Sequence, residues 1–162
     1  RFASLNRDII KEVILDGMKL HEVDSFTTIH NYIDVETNIL RKGAVSANKD
    51  EKLLIPMNMR DGSLICIGLG NEDWNFSAPH GAGRRYGRKE AESSFTLSEF
   101  KKQMEGIYTT SVAQDTIDES PMAYKPMEEI LNNIGDTVVV ERVIRPIYNF
   151  KASEKQVRRN KK

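Results

Sequence analysis

The first half of the chain alternates short apolar runs with turn residues, after one stretch of helical periodicity. Residues 2–18 repeat apolar side chains at helical spacing, which predicts an amphipathic helix that ends near Gly17 and packs one side on the core. Residues 25–33 are β-branched and aromatic and predict a strand. Further short strands are predicted at residues 39–45, 52–56 and 63–68, with a turn at residues 58–62.

The second half favours helices. Thr96 and Glu99 have the spacing of a capping box, which predicts a helix that runs to about Met104. Pro126 suits the first turn of another helix, which is predicted to end at Gly135. Both predictions rest on residues at helix ends, where backbone N–H and C=O groups lack partners within the helix. A capping side chain bonds to such a group, and proline has no N–H that needs a partner.

The last strong pattern is a strand, and it completes an α+β fold. Residues 137–144 are rich in valine and isoleucine, Pro146 ends that run, and residues 147–150 extend beyond it. The elements together predict short mixed or antiparallel strands clustered before residue 80, with helices mostly after it. No internal repeat or linker divides residues 1–151, whereas residues 152–162 predict a disordered basic tail.

The net charge of the chain is zero, but its basic residues are unevenly distributed. Lysine plus arginine and aspartate plus glutamate both number 24 among the 162 residues, so the overall charge does not indicate a nucleic-acid partner. Residues 84–89 and 151–162 are locally basic, and the second segment carries six basic residues against one acid. This tail either contacts RNA or is simply solvated.

The chain shows no sign of a disulfide or a membrane span. Cys66 is its only cysteine, lies in an apolar run, and is predicted to be a buried thiol of a cytoplasmic protein. No apolar stretch approaches the about 20 residues that cross a bilayer. Because the chain begins with arginine rather than methionine, we expect it to be a piece of a longer protein.

One short segment concentrates the candidate chemistry. His80 stands at the head of Gly81-Ala82-Gly83-Arg84, where two glycines let the backbone approach a ligand and turn successive N–H groups toward an anion. Arg84, Arg85 and Arg88 add planar, permanently charged donors suited to phosphate. The pattern favours a phosphate site with a histidine nucleophile, and a surface turn with solvated charges is the alternative.

Two further features carry weaker signals. His30 beside Asn31 is either a metal ligand or a hydrogen-bonded interior histidine, because no complete metal-ligand motif accompanies it. His21 is interpreted as a surface residue. Asp118 and Glu119 are either paired carboxylates or the acids of a turn, since adjacent side chains point in different directions.

Five blocks of sequence carry a specific resemblance when they are taken in order. The blocks are His30-Asn31-Tyr32, Arg41-Lys42-Gly43-Ala44, Ile55-Pro56 with Asp61-Gly62-Ser63, Ser77-Ala78-Pro79-His80-Gly81-Ala82-Gly83-Arg84, and Asp118-Glu119-Ser120-Pro121-Met122-Ala123-Tyr124-Lys125. Their order resembles the C-terminal portion of the tRNA-splicing ligase RtcB family, and the resemblance covers residues 1–151. It implies a GTP- and manganese-dependent enzyme that joins RNA 3′-phosphate or 2′,3′-cyclic phosphate ends to 5′-hydroxyl ends.

The resemblance also implies roles for individual residues. His80 is expected to attack GTP and to hold GMP as a phosphoramidate before GMP passes to the RNA 3′-phosphate. His30 is expected to be a manganese ligand, Asn31 a nucleotide contact, and Lys151 a contact to the guanine base. The other expected nucleotide contacts are Pro56, Met57, Asn58, Met59, Ser63, Gly81, Ala82 and Gly83, and the expected phosphate or RNA contacts are Arg84 and Arg88.

The chain departs from the family pattern in its nucleotide loop and in its extent. Residues 57–60 read Met-Asn-Met-Arg where the family often has Gly-Ser-Met-Gly, so Arg60 adds charge and bulk. Most manganese ligands of the family come from a region before the first helix. We therefore expect this chain to hold the nucleophile with an incomplete metal site, to be inactive alone, and to leave part of its core uncovered.

The expected partners are RNA, as tRNA halves or damaged RNA, GTP, and an archease-type activator protein. Two other functions stay open. A noncatalytic RNA-binding module would rely on the basic tail and on residues 84–89, and its binding would survive loss of His80. A nucleotidyltransferase would use the same guanylylated histidine to cap RNA 3′-phosphates without sealing them.

Overall fold

The computed structural model describes residues 2–151 and shows an α+β fold. The strands are β1 (His30–Asp34), β2 (Ile39–Ser46), β3 (Lys52–Pro56), β4 (Ser63–Gly68), β5 (Ser77–Pro79), β6 (Tyr108–Thr109), β7 (Val138–Ile144) and β8 (Tyr148–Asn149). The α-helices are α1 (Phe2–Met18), α2 (Arg88–Ser94), α3 (Leu97–Gln103) and α4 (Met127–Leu131). Short 3-10 turns lie at Glu72–Trp74, Gln114–Glu119 and Pro121–Ala123.

One antiparallel sheet, ordered β1-β2-β5, carries the central motif at its edge. Ala44 of β2 pairs with Pro79 of β5, so the chain enters the motif beside the middle of β2. The register of β1 and β2 shifts between His30 and Tyr32, and Asn31 at that shift has a left-handed backbone. The sheet therefore brings two segments that are far apart in sequence, around residues 30 and 80, to the same part of β2.

A second antiparallel sheet, ordered β3-β4-β7, supports the loop at residues 57–62. β3 and β4 form a hairpin around this loop, and the N–H of Met57 donates to the carbonyl of Gly62 (2.8 Å). Gly62 has φ of +86°, and a Cβ there would lie 2.0 Å from the carbonyl oxygen of Ile144 on β7. Only glycine fits this crossing of the hairpin with β7.

Two hydrophobic clusters form the core, and the loop at residues 57–62 is anchored in both. Met57 packs in the larger cluster, with Leu53, Ile55, Leu64 and other residues of the sheets and α4. Met59 packs in the smaller cluster under α3, with Phe100, Met104 and Ile117. Two methionines separated by one residue thus hold the loop from both sides.

Cys66 lies in the larger cluster and is completely buried, as the sequence predicts. Burial raises the pKa of its thiol to about 11, which keeps it protonated and inert at neutral pH.

Most of the predicted strands are confirmed, and the differences lie where tertiary packing decides. The capping box is present, because the Thr96 hydroxyl accepts the N–H of Glu99 and the Glu99 carboxylate accepts the N–H of Thr96. Residues 25–29 are not a strand, and α4 ends at Leu131 instead of residue 135. The sequence did not predict α2, β5 or β6. The predicted tail at residues 152–162 lies outside the described residues.

The helix α1 is confirmed, but the prediction that its apolar side packs on the core is wrong. Seven of its large apolar side chains are between 49% and 89% exposed, and only Leu15 is half-buried. Its polar residues Arg7, Asp8 and Lys11 line a hollow beside Leu54. Lys11 also pairs with Glu22 (2.8 Å). Periodicity establishes that a helix has an apolar side and does not establish what covers it. Among the helices of residues 2–151, none has the length and apolar character that crossing a bilayer requires.

Candidate active site

A cavity of about 670 Å³ collects most of the predicted site residues. Its walls come from the loop at residues 57–62, the segment that follows His80, and the end of the described chain. The predicted residues that line it are Pro56, Met57, Asn58, Met59, Ser63, His80, Gly81, Ala82, Gly83, Arg84, Arg88 and Lys151. These come from four separated parts of the sequence, and the cavity is large enough for a nucleotide-sized ligand.

The imidazole of His80 is held in one tautomer. Its Nδ1 lies 2.7 Å from the carbonyl oxygen of Gly43, and the same oxygen accepts the backbone N–H of His80 (3.3 Å). A carbonyl oxygen only accepts hydrogen bonds, so Nδ1 must carry the proton. In the neutral ring Nε2 then has the free lone pair. This is the protonation state that a histidine nucleophile requires.

His30 and Asn31 lie beside His80 and do not line the cavity. The rings of His30 and His80 are stacked, with centroids 5.2 Å apart and planes inclined by 25°. The side-chain oxygen of Asn31 accepts the N–H of Gly43 (2.8 Å), so Asn31 fixes the backbone residue whose carbonyl holds His80. The predicted metal and nucleotide contacts of these two residues stay predictions.

The donors near His80 suit a manganese ion only in part. His30 is exposed and offers an imidazole, a common ligand of divalent transition metals, directly beside the candidate nucleophile. Within residues 2–151, no group of three His, Cys, Asp or Glu side chains is arranged to hold a metal. His30 therefore fits as one ligand, and a complete site would need ligands from elsewhere.

The glycine-rich segment after His80 uses part of its anion-binding capacity within the protein. The N–H of Ala82 donates to the carbonyl of Pro56 (3.1 Å), which ties the motif to the end of β3. Among the described residues, the N–H groups of Gly81 and Gly83 have no hydrogen-bond partner. Gly83 has φ of +72°, a conformation that favours glycine. Two backbone donors at the cavity wall thus stay available to an anion.

Arg84 lines the cavity, but most of its donors are used inside the protein. Its guanidinium donates to the carbonyls of Tyr86 and Asp118, to the Glu119 carboxylate (3.4 Å) and to the Tyr124 hydroxyl (3.2 Å). The same group lies over the Tyr124 ring, 5.0 Å from its centroid. Arg84 therefore braces this wall of the cavity, and its predicted phosphate contact stays a prediction.

Glu119 connects two further cations of the cavity, Arg88 and Lys151, with Arg84. It accepts hydrogen bonds from Arg88 (2.9 Å), Tyr124 (2.7 Å) and Lys151 (3.3 Å), in addition to the contact with Arg84. Arg88 also pairs with Asp118 (2.7 Å). The two acids left open by the sequence are thus the counter-charges of three cationic side chains. A phosphate bound at Arg88 would compete with both carboxylates.

Burial and hydrogen bonding set the ionisation of this cluster. Burial opposes the charge of Glu119, but the hydrogen bond from Tyr124 and the positive charges of Lys151 and Arg88 outweigh it and hold the pKa of this carboxyl below its usual value. Burial and the bond to Glu119 raise the pKa of Tyr124 to about 12. Tyr124 is therefore a hydrogen-bond donor at neutral pH.

Acidification is expected to destabilise the protein partly through Glu119. The pKa of the Glu119 carboxyl is lower in the folded protein than in the unfolded chain, where it is about 4.3. The carboxylate therefore stabilises the fold above that pH, and the stabilisation is lost as pH falls through the pKa of the folded state. The free energy of unfolding of the wild type and of Glu119→Gln should therefore differ most near neutral pH and converge on acidification. Glu128→Gln, on an exposed part of α4, is the control and should follow the wild type. A difference for Glu119→Gln that does not change with pH would contradict this.

The altered nucleotide loop is ordered by its own side chains. The Asn58 side chain accepts the N–H groups of Arg60 (3.0 Å) and Asp61 (2.9 Å) and donates to the Asp61 carboxylate (2.8 Å). Arg60 pairs with Asp61 (2.7 Å) and bonds to Gln103, and it is not among the cavity-lining residues. The extra charge and bulk of Arg60 therefore lie outside the cavity.

Sequence reasoning missed several residues of the cavity wall. Tyr124 was not predicted as a site residue, and Glu119 was left open as a paired carboxylate or a turn acid. Their contacts with Arg84 make both part of the site. Asn149 donates to the carbonyl of Met59 (2.6 Å) and joins β8 to the nucleotide loop. Other unpredicted lining residues are Gly62, Ile144, Arg145 and Pro146.

Comparison with known proteins agrees with the resemblance of the five sequence blocks. A family model described as tRNA-splicing ligase RtcB matches residues 1–152. The RNA-splicing ligase RtcB of Escherichia coli strain K12 is 31% identical over 163 aligned residues, which cover 90% of this chain and 40% of that protein. The tRNA-splicing ligase RtcB of Aeropyrum pernix is 32% identical over 105 residues, which cover 60% of this chain and 21% of that protein. The chain thus spans about 40% of the length of the Escherichia coli relative, and it belongs to the RtcB family.

Proposed function

We propose that this chain forms the nucleophile-bearing part of a GTP- and manganese-dependent RNA ligase. The enzyme joins RNA ends with a 3′-phosphate or 2′,3′-cyclic phosphate to 5′-hydroxyl ends, through GMP bound covalently to His80. The observation that carries the proposal is the bond between Nδ1 of His80 and the carbonyl of Gly43, which leaves the Nε2 lone pair free in a residue that lines a nucleotide-sized cavity.

In the first step His80 reacts with GTP. Nε2 attacks the α-phosphorus, an N–P bond forms, and the bond to the bridging oxygen breaks so that pyrophosphate leaves. The imidazole needs no deprotonation, because its proton is already on Nδ1. The ring becomes positively charged in this step, and the carbonyl of Gly43 stabilises that charge through the Nδ1–H.

The later steps transfer GMP and seal the RNA. An oxygen of the RNA 3′-phosphate attacks the phosphorus of the bound GMP, the N–P bond breaks, and His80 returns to its neutral form. The 5′-hydroxyl oxygen then attacks the 3′-phosphate, which releases GMP and a proton. The free N–H groups of Gly81 and Gly83 and the guanidinium of Arg88 are the groups of this chain that would stabilise phosphate charge during these displacements.

Manganese, when bound, would supply Lewis-acid stabilisation of the phosphate oxygens. His30 is the residue of this chain that would hold it, beside His80. The remaining metal ligands and an archease-type activator stay expectations drawn from the resemblance. A cytoplasmic location stays an expectation drawn from the single cysteine.

Lys151 is proposed to recognise the guanine base, and Lys151→Ala is expected to weaken GTP binding. Hydrogen bonds to charged groups contribute about 1.5–3 kcal/mol, which corresponds to at least about a tenfold rise in the Kd for GTP. The Kd for ATP should change little, so calorimetric titration with both nucleotides measures the loss of base selectivity. Lys52→Ala, a lysine paired with Asp24 away from the cavity, is the control. Equal losses for GTP and ATP would contradict a base contact.

The two other functions make different predictions for the same protein. A noncatalytic RNA-binding module would bind RNA without GTP and without need of His80. A capping nucleotidyltransferase would leave a guanylate on the RNA 3′-phosphate, whereas a ligase yields a joined strand. Analysis of products from an RNA with a 3′-phosphate and a 5′-hydroxyl therefore separates the three. A capped end that is never joined would overturn the ligase proposal.

A further inference from the structure

Another hollow, of about 360 Å³, is lined by residues that directly precede His80 in the sequence, among them Pro79. We call it the Trp74 groove, and its main walls are Trp74, Leu40, Lys42, Gly43 and Pro79. The chain from Trp74 to Pro79 contributes to the groove, and the chain from His80 to Arg84 lines the cavity. Consecutive residues of the chain, Pro79 and His80, therefore line the groove and the cavity respectively.

The groove combines an exposed aromatic surface with an uncompensated positive charge. Trp74 is 53% exposed and Leu40 is 71% exposed. Lys42 is exposed and has no ion pair within the described residues, while the other cation of the wall, Arg41, is buried and pairs with Asp34. Within residues 2–151, no acidic side chain lines the groove. An apolar ring beside a free ammonium group is the combination that binds a base together with its phosphate.

The backbone holds Trp74 in place at an energetic cost. Trp74 ends a 3-10 turn that begins after Asn71, whose side chain accepts the N–H of Asp73 (2.9 Å). The next two residues, Asn75 (φ +48°) and Phe76 (φ +51°), are both left-handed, which is rare for a bulky residue. The carbonyl of Phe76 accepts the N–H of Ala47 (2.8 Å), which locks this conformation against β2. Strain maintained in this way is characteristic of functional segments.

We infer that the Trp74 groove binds the single-stranded RNA nucleotides that precede the 3′-phosphate end reacting at His80. A base stacks on the indole of Trp74, and the ammonium group of Lys42 pairs with a backbone phosphate. Trp74 and Pro79 are five residues apart, which is at most about 17 Å of extended chain, so the nearest few nucleotides would occupy the groove. That the bound RNA ends in a 3′-phosphate rests on the proposed function. Binding of RNA in the groove does not require catalysis.

The groove contains its own reporter, because Trp74 is the only tryptophan of the chain. Titration with a single-stranded RNA that ends in a 3′-phosphate is expected to quench the Trp74 fluorescence. The same RNA with abasic sites in its last nucleotides should bind without the quench. By anisotropy of a labelled RNA, Trp74→Leu should weaken binding roughly tenfold, as expected for loss of one stacked base.

Lys42→Ala should lower the slope of log K against log salt concentration by about 0.7, the contribution of one phosphate contact in single-stranded nucleic acid. Lys102→Ala, an exposed lysine of α3 that lines neither hollow, is the matched control and should leave the slope unchanged.

Two results would overturn this inference. The first is unchanged Trp74 fluorescence during the RNA titration, whether anisotropy shows that the RNA binds elsewhere or that it does not bind. The second is an acrylamide test in which Trp74 of this chain is inaccessible to the quencher, which would mean that the indole is covered. His80→Ala separates this inference from the proposed function: the quench should persist in that variant while covalent GMP labelling is lost. Covalent GMP labelling without a quench of Trp74 fluorescence would support the proposed function and contradict RNA binding in the groove.

Discussion

Replacing His80 by alanine is expected to reduce covalent labelling of the protein by α-phosphate-labelled GTP at least about a thousandfold. The side chain supplies the attacking Nε2, and no backbone group can replace a nucleophile that forms the N–P bond. The labelling is measured with manganese on the 162-residue chain and on the protein at its full natural length. Because the chain spans about 40% of its Escherichia coli relative, we expect label mainly on the longer form.

His21→Ala is the matched control for His80→Ala. His21 is an exposed histidine that lies in neither hollow, as predicted from the sequence, so its loss should leave labelling at the wild-type level. His30→Ala should reduce labelling through the metal and should be partly offset by higher manganese concentration, which His80→Ala should not be. Labelling of His80→Ala at the wild-type level would mean that another residue carries GMP.

The substitution Gly62→Ala is expected to lower the free energy of unfolding by about 3 kcal/mol or more. A Cβ at this position would lie 2.0 Å from the Ile144 carbonyl oxygen, and the backbone has φ of +86°. The β3–β4 hairpin and β7 would have to separate, which would also distort the nucleotide loop. Urea unfolding followed by circular dichroism gives the measurement.

Gly135→Ala is the control for this substitution. A Cβ at residue 135 would meet no atom within 4 Å, and the backbone has no left-handed strain. Its effect on the free energy of unfolding should be within about 0.5 kcal/mol. Equal stabilities for the two variants would mean that the crossing of the hairpin with β7 is looser than the contact distance indicates.

The parts of the fold that depend on local chemistry could be predicted from the sequence. The capping box at Thr96 and Glu99 works through residues three apart, and it forms as expected. The hairpin of β3 and β4 is likewise set by two apolar runs and a short turn. By contrast, nothing within residues 2–18 specifies what covers the apolar side of α1.

The candidate site divides in the same way. The residues around His80 could be predicted as a phosphate site because the histidine, the two glycines and the arginines are close together in the sequence. The contacts of Glu119 and Tyr124 with the cations could not be predicted, because their partners are distant in sequence: Lys151 lies 32 residues from Glu119, and Arg84 lies 40 residues from Tyr124. The role of Gly43 in holding His80 was also invisible, since it arises from the pairing of β2 with β5.

The most direct test of the central claim is to locate GMP on the protein after reaction with GTP and manganese. Trypsin cleavage at Arg60 and Arg84 yields the peptide of residues 61–84, which contains His80 as its only histidine and has no lysine. We predict a GMP adduct on this peptide by mass spectrometry, stable in alkali and lost in acid, as expected for a histidine phosphoramidate. A GMP adduct on any other peptide, or an unmodified protein at full natural length, would contradict the assignment of His80 as the nucleophile.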